Sequence, residues 1–174
     1  MADTKRSVAA LQVLLADNTS QNISPQDVRD MLVSCLGTDG GIGIPTISAA
    51  TQALTADTPE KITLFTAEQS NGVTASHAND QMTIVVSGRY EIVGNFSMKS
   101  SSGNTVFDFV VNIDGSPTGV ATQRKVSTGG DVGAAGFSGF LDLVAGDVLT
   151  LSAEADGNTT LTFTRAQFTA KLIG

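Results

Sequence analysis

Tryptophan is absent from this 174-residue chain, and tyrosine, histidine and cysteine each occur once. A single cysteine, Cys35, excludes an intrachain disulfide. It falls on the apolar side of a short helical pattern and reads as a small buried hydrophobe. A nucleophilic cysteine would want a histidine beside it, and His77 sits apart in the loop-like stretch SHAND. Charge is also scarce, at 16% of residues. Ten basic residues face seventeen acidic ones, for a net charge of −7. The basic residues are scattered singly, so nothing is built to neutralise phosphates, and a nucleic-acid partner is excluded.

Long apolar runs are missing too. No stretch approaches the roughly 18 residues that a membrane-crossing helix needs, so no membrane partner is expected. The opening MADTKRSVAALQVLLADNTS lacks the long apolar region and small-residue cleavage site of a signal peptide. The expectation is synthesis in a cytoplasm without Sec export. Catalytic signatures are equally sparse. The pair Gly40-Gly41 fits neither a Walker loop nor a dinucleotide fingerprint. GFSGF at 136–140 lacks the spacing and strand-to-helix context of a nucleophile elbow. The carboxylates are mostly singletons in turns, so no general acid–base centre forms and no cofactor is expected.

What the chain does have is glycine (18 residues), plentiful threonine and serine, and 41% hydrophobic residues. That mix suits many short strands joined by tight turns. Three zones follow: a helical arm at 1–37, a glycine-rich linker at 38–50 and a β domain at 51–174. In the arm, Val8, Leu11, Leu14 and Leu15 have helical spacing. A second helix is better marked. Ser24 is a good N-cap, Pro25 fits the first helical position, and Asp27 gives a capping-box variant. Val28, Met31, Leu32, Cys35 and Leu36 form one apolar stripe, and Gly37 ends it as a left-handed cap would. Such a helix, about 18 Å long, is marginal in water unless it packs on something. Val28, Met31, Leu32 and Leu36 are therefore the candidates for docking on a partner. The linker, TDGGIGIPTISAA, reads as a flexible or extended connector.

The last zone alternates with period two. Tyr90, Ile92, Gly94, Phe96 and Met98 share one face, opposite a mostly polar one. Phe107, Phe109, Val111 and Ile113 repeat the pattern and stop at the turn signal Asp114-Gly115. A second Asp-Gly turn falls at 156–157. In the final segment Leu161 and Phe163 alternate, then the phase slips to Phe168, Ala170 and Leu172, predicting a β-bulge near Arg165–Gln167. About eight strands result, at 61–66, 82–87, 89–99, 104–114, 118–127, 136–144, 147–154 and 159–172. With no helices between them, they imply an antiparallel sandwich or jelly roll.

Residues 52–174 resemble the C1q/TNF-like jelly-roll superfamily. The likeness rests on Gly88-Arg89-Tyr90 opening a core strand, FDFVVNIDGSP, Gly146-Asp147-Val148 at a strand junction, and the closing FTRAQFTAKLIG. The resemblance implies a mainly β fold, a non-enzymatic role, and a homotrimer whose inner strands meet around an axis. Tyr90, Phe96, Phe163 and Phe168 are the candidates for that trimer core. Some relatives bind calcium near the axis. Here Asp80, Asp108, Asp114 and Asp131 are the available donors. They form no packed cluster in sequence, and calcium takes roughly six to eight oxygens, so no metal is expected.

The segment SVAALQVLLADNTSQNISPQDVRDMLVS is similar to short leaders on tailed-bacteriophage structural proteins. Together the two resemblances imply a virion protein that decorates or cements the outside of a capsid. Its partners would be its own copies and the major capsid protein or another virion protein, with assembly in the host cytoplasm. A tail-fibre or receptor-binding tip is the alternative, although the chain has no long coiled coil or β-helical shaft. A cellular C1q-like recognition module would call for export and a stalk.

Overall fold

A computed structural model describes residues 24–35, 37–44, 50–127 and 131–173. Helix α1 spans Pro25–Cys35. Its expected capping box is closed in both directions. Asp27 Oδ2 accepts from the Ser24 backbone N–H at 2.8 Å and from the Ser24 hydroxyl at 2.7 Å. Ser24 Oγ in turn accepts from the Asp27 N–H at 3.2 Å. These bonds satisfy donors that the first helical turn leaves without partners. The stripe residues Val8, Leu11, Leu14, Leu15 and Leu36 lie outside the described residues, as does the side chain of Cys35.

Twelve strands build two facing sheets. The first sheet runs β10 (Gly133–Leu143), β7 (Gly88–Ser100), β12 (Thr159–Leu172), β1 (Asp39–Ile44), β4 (Ala67–Asn71), with β2 (Ala50–Leu54) also on β12. The second runs β5 (Val73–Ser76), β6 (Gln81–Ile84), β11 (Val148–Ala155), β8 (Thr105–Ile113), β9 (Ser116–Val126), with β3 (Glu60–Lys61) on β11. Every paired strand is antiparallel to its neighbours. The chain crosses repeatedly between sheets, which makes the sandwich a jelly roll.

Phenylalanine fills the middle. Phe96 of β7 stacks on Phe163 of β12 with centroids 5.4 Å apart, and meets Phe109 of β8 across the sandwich at 5.2 Å. Phe137 of β10 bridges Phe96 and Phe168 at 5.8 and 6.3 Å. These separations suit tilted and offset ring pairs. The core-facing Gly94 is what admits Phe137, because a Cβ there would come within 2.4 Å of its ring.

Seven of the expected strands are present as β6 to β12; β12 has the expected bounds and the others are shifted by one to a few residues at their ends. The segment expected as a strand at 61–66 pairs only as β3. Beyond it, Ile62 N–H donates to Leu151 in the second sheet and Thr66 N–H to Gly43 in the first. The segment therefore climbs from one sheet to the other while burying Ile62, Leu64 and Phe65. The bulge interrupts β12 between Phe163 and Arg165, slightly before the predicted place. Thr164, the extra residue, donates its hydroxyl to Ser97 O at 3.1 Å. Asp114 and Gly115 take positive φ values of 50° and 80° and turn the β8–β9 hairpin. Asp156-Gly157 is not a hairpin turn, since β11 and β12 belong to different sheets.

The largest correction concerns the linker. Asp39–Ile44 is not a connector but strand β1, hydrogen-bonded to β12 on one edge and β4 on the other. Ile42 is buried. Glycine serves here for close approach: a Cβ on Gly40 would sit 2.8 Å from Val73 Cβ, and one on Gly43 would sit 2.8 Å from Ala166 O. Residues 45–49 of the expected linker lie outside the described residues.

Candidate subunit and partner interfaces

The four aromatic residues expected at a trimer core sit inside a single chain. Tyr90, Phe163 and Phe168 are fully buried and Phe96 nearly so. Their inward alternation puts them between the two sheets, so their surfaces are spent on the chain's own core and none remains for a neighbour. The hydroxyl of Tyr90 donates to Val86 O at 2.7 Å, which secures the entry into β7. Burial pushes its pKa up to about 12.

Residues that point the other way can meet a neighbour. On β10 these are Ala134, Gly136, Ser138, Phe140 and Asp142, all exposed. On β7 they are Arg89, Glu91, Val93, Asn95 and Ser97, and on β12 Arg165, Gln167, Thr169 and Lys171. Most are small or uncharged. Phe140 stands out at 56% exposure, with the Arg89 guanidinium 5.6 Å from its ring centroid. Phe137 and Phe140 lie three apart, so in a strand they cannot share a face, and the second must point out. That spacing is present in GFSGF, whose glycines resemble a nucleophile elbow more than a strand. The stretch is mid-strand in β10.

The same face sinks into an open hollow of about 650 Å³ that runs from Asn95 and Ser97 of β7 across β12 and β1 to β4. Its floor is β1, where Gly41 and Gly43 carry no side chains. Gln69 of β4 stands on one wall, and Thr169 and Lys171 of β12 on the other. Nothing in the glycine-rich sequence pointed to it, because that stretch read as a link.

The docking candidates of α1 differ among themselves. Val28 is 42% and Leu32 59% exposed, while Met31 is half-buried. Leu36 lies outside the described residues. Thr38 O accepts from the Leu172 N–H at 2.8 Å, and Gly37 O from the Asn71 side chain at 2.8 Å. These bonds fix the point where the arm joins the sandwich.

The acids considered for calcium are dispersed in local roles. Asp80 Oδ1 accepts from the Phe65 N–H at 2.9 Å, Asp114 Oδ1 from the Val148 N–H at 3.0 Å, and Asp108 from Gln123 at 2.9 Å. Burial raises the Asp80 pKa, against the opposing Phe65 hydrogen bond. Asp131 lies beside Arg124 and Lys125 in a smaller surface hollow. Among the described residues, no three acids, histidines or cysteines gather as a metal site. His77 is paired instead with Glu68, at 2.9 Å between Nδ1 and Oε2. The His77 backbone N–H bond, then its ring, holds the Glu68 pKa below the usual carboxylate value. No helix among the described residues is long and apolar enough to cross a membrane.

Two antiparallel sheets with these crossings define a jelly-roll domain of the C1q and TNF type. The globular domain of zebrafish complement 1qA protein superposes with a TM-score of 0.54 at 14% identity, covering 79% of this chain and 98% of that one. Eiger TNF from S. frugiperda gives 0.55 at 12% identity, covering 79% and 93%. At these identities the likeness establishes the fold. No protein-family model matches the chain, and neither does any curated protein.

Proposed function

We propose that this protein is a non-enzymatic structural component of a tailed-bacteriophage particle. It forms a homotrimer through the outer face of its first sheet and decorates or cements the outside of the capsid. The observation that carries the reading is the pairing of two uncovered surfaces. One is a broad sheet face of small, mostly uncharged side chains, of the kind that admits a close neighbour. The other is a capped helix outside the sandwich that exposes Val28 and Leu32. In this reading the sheet face holds three copies together, and the helix docks on the major capsid protein or another virion protein. The described acids act in turns and hairpins, which supports a binding role over a catalytic one. Low net basicity argues against the packaged nucleic acid as the partner.

Quantitative mass spectrometry of purified particles tests this directly. Decoration requires copies on the order of hundreds per particle, as a shell with many repeated sites would take. A handful of copies would overturn it in favour of a tail tip.

A further inference from the structure

One end of the sandwich is unlike the other. It gathers the β6–β7 connection, the β10–β11 turn and the residue after β12, and there Val85, Val144 and Ile173 stand exposed. We infer that this end, together with α1, is the face that docks on the shell, against a protein surface that is apolar and poor in charge; the inference rests on the decoration reading above.

Hydrogen bonds tie the three residues into one patch. Gly146 N–H donates to Ile84 O and Ala145 N–H to Ser87 Oγ, each at 2.9 Å, so the loops that carry Val144 and Val85 are joined. Ile173 N–H donates to Arg89 O at 2.8 Å, at the start of β7. Strands β10, β7, β12 and β1 are neighbours in that order, so the patch spans about 14 Å of strand ends. Among the described residues, the other exposed large apolar side chains share this bias. Val28 and Leu32 belong to α1, Phe140 lies three residues short of the end of β10, and only Val132 sits at the opposite end. The turns of that opposite end are polar, at 101–104 and 156–158. Scattered apolar residues need no partner, whereas neighbouring ones mark an interaction site.

The carboxylates of the apolar end are spent on its own turns. Asp147 Oδ2 accepts from the Val144 N–H at 2.9 Å, and Asp114 Oδ1 from the Val148 N–H at 3.0 Å. What the two joined loops present is Val85, Ser87, Val144 and Ala145, all exposed and uncharged. The helix arrives at the same end. Thr38 O accepts from the Leu172 N–H, next to Ile173. Asn71 pins the joint, donating from Nδ2 to Gly37 O and to Asp39 Oδ1, both at 2.8 Å. Residues 1–23 lie outside the described residues and lead into Ser24, so everything N-terminal to the sandwich reaches it here. The helix also inverts the ordinary pattern. Val28 and Leu32, four apart on one side, are exposed, while Asp30 on the opposite side is 1% exposed. A helix settled on its own chain would bury the apolar side instead. Two apolar patches flanking one pinned joint can bury on one surface together, each raising the effective concentration of the other.

The probe is heads of the parent particle assembled without this chain, and the readout is cosedimentation of added full-length protein. Val85→Asp and Val144→Asp should each weaken binding by more than about tenfold, with trimer mass and circular dichroism unchanged. Val132→Asp, at the opposite end, should bind as the unaltered chain does. In a Cys35→Ser background, Val144→Cys should react with a maleimide in the free protein and be protected on heads, and Val132→Cys should react in both. This second readout holds even where an aspartate variant folds poorly. If the unaltered chain binds heads, while Val144→Cys stays reactive there and the aspartate variants bind normally, this end is not the docking face and decoration stands. If trimers of the unaltered chain pair in solution, and Val144→Asp abolishes the pairing without weakening head binding, a second copy takes the patch and the inference falls. If the unaltered chain does not bind heads, both readings fall.

Discussion

Gly94 shows how one missing side chain organises this core. It occupies an inward position on β7, where its neighbours on that face are Ile92 and Phe96. A methyl group there would lie 2.5 Å from Phe137 Cε1 and 2.8 Å from Phe96 Cζ. Both rings would have to leave their packed positions. Gly94→Ala should therefore destabilise the fold by about 1–3 kcal/mol through overpacking. Urea unfolding measures this, and a midpoint unchanged or raised would contradict the packing described here. Tyr90 makes a second prediction at this scale. Its folded pKa is raised from 10.0 to about 12, so the folded state holds the phenolic proton more tightly than the unfolded chain does. That contribution is complete below pH 10 and is lost as pH rises through about 12. Unfolding midpoints measured from pH 8 upward should fall through that window, and Tyr90→Phe should remove this part of the fall. The variant should also cost about 1 kcal/mol near neutral pH, because Val86 O loses its donor.

Elements were legible where side chains alternate. The strands β7, β8 and β12 each carry bulky residues on one face, and the phase slip in the β12 sequence marks its bulge. The capping box of α1 was equally plain, since serine, proline and aspartate each have one strong positional meaning. Four strands were not legible. β1 is half glycine, β4 reads AEQSN, and β2 and β5 are short and rich in alanine, threonine or serine. For β1, β2 and β4 the pairing comes from strands that are not sequence neighbours, such as β12 for β1, and no local pattern encodes that, whereas β5 pairs with the adjacent β6. The four aromatic candidates lie in the chain's own core for a related reason. Periodicity finds the apolar face of a strand, and that face packs against the partner sheet of the same chain. The face left open is the opposite one, which carries no apolar alternation to find. Gly43→Val separates the two readings of β1. In a free connector it would be close to neutral. In β1 a Cβ meets Ala166 O at 2.8 Å, and the substitution should cost about 1–3 kcal/mol in a thermal or urea melt.

At the scale of the whole molecule, two sheets, one covered face each, leave a second face open. On the first sheet that open face carries the exposed Phe140 and a hollow; the helix leading into β1 exposes Val28 and Leu32. In the proposed reading the first surface serves the chain's own copies and the second a virion partner. Seen by electron cryomicroscopy, a purified particle would show both at once. The expected result is three-lobed density on the outside of the head, repeated over the shell, each lobe a jelly roll with its short helix against the capsid surface. Density for the chain confined to the tail, or standing on the head as single lobes, would contradict it.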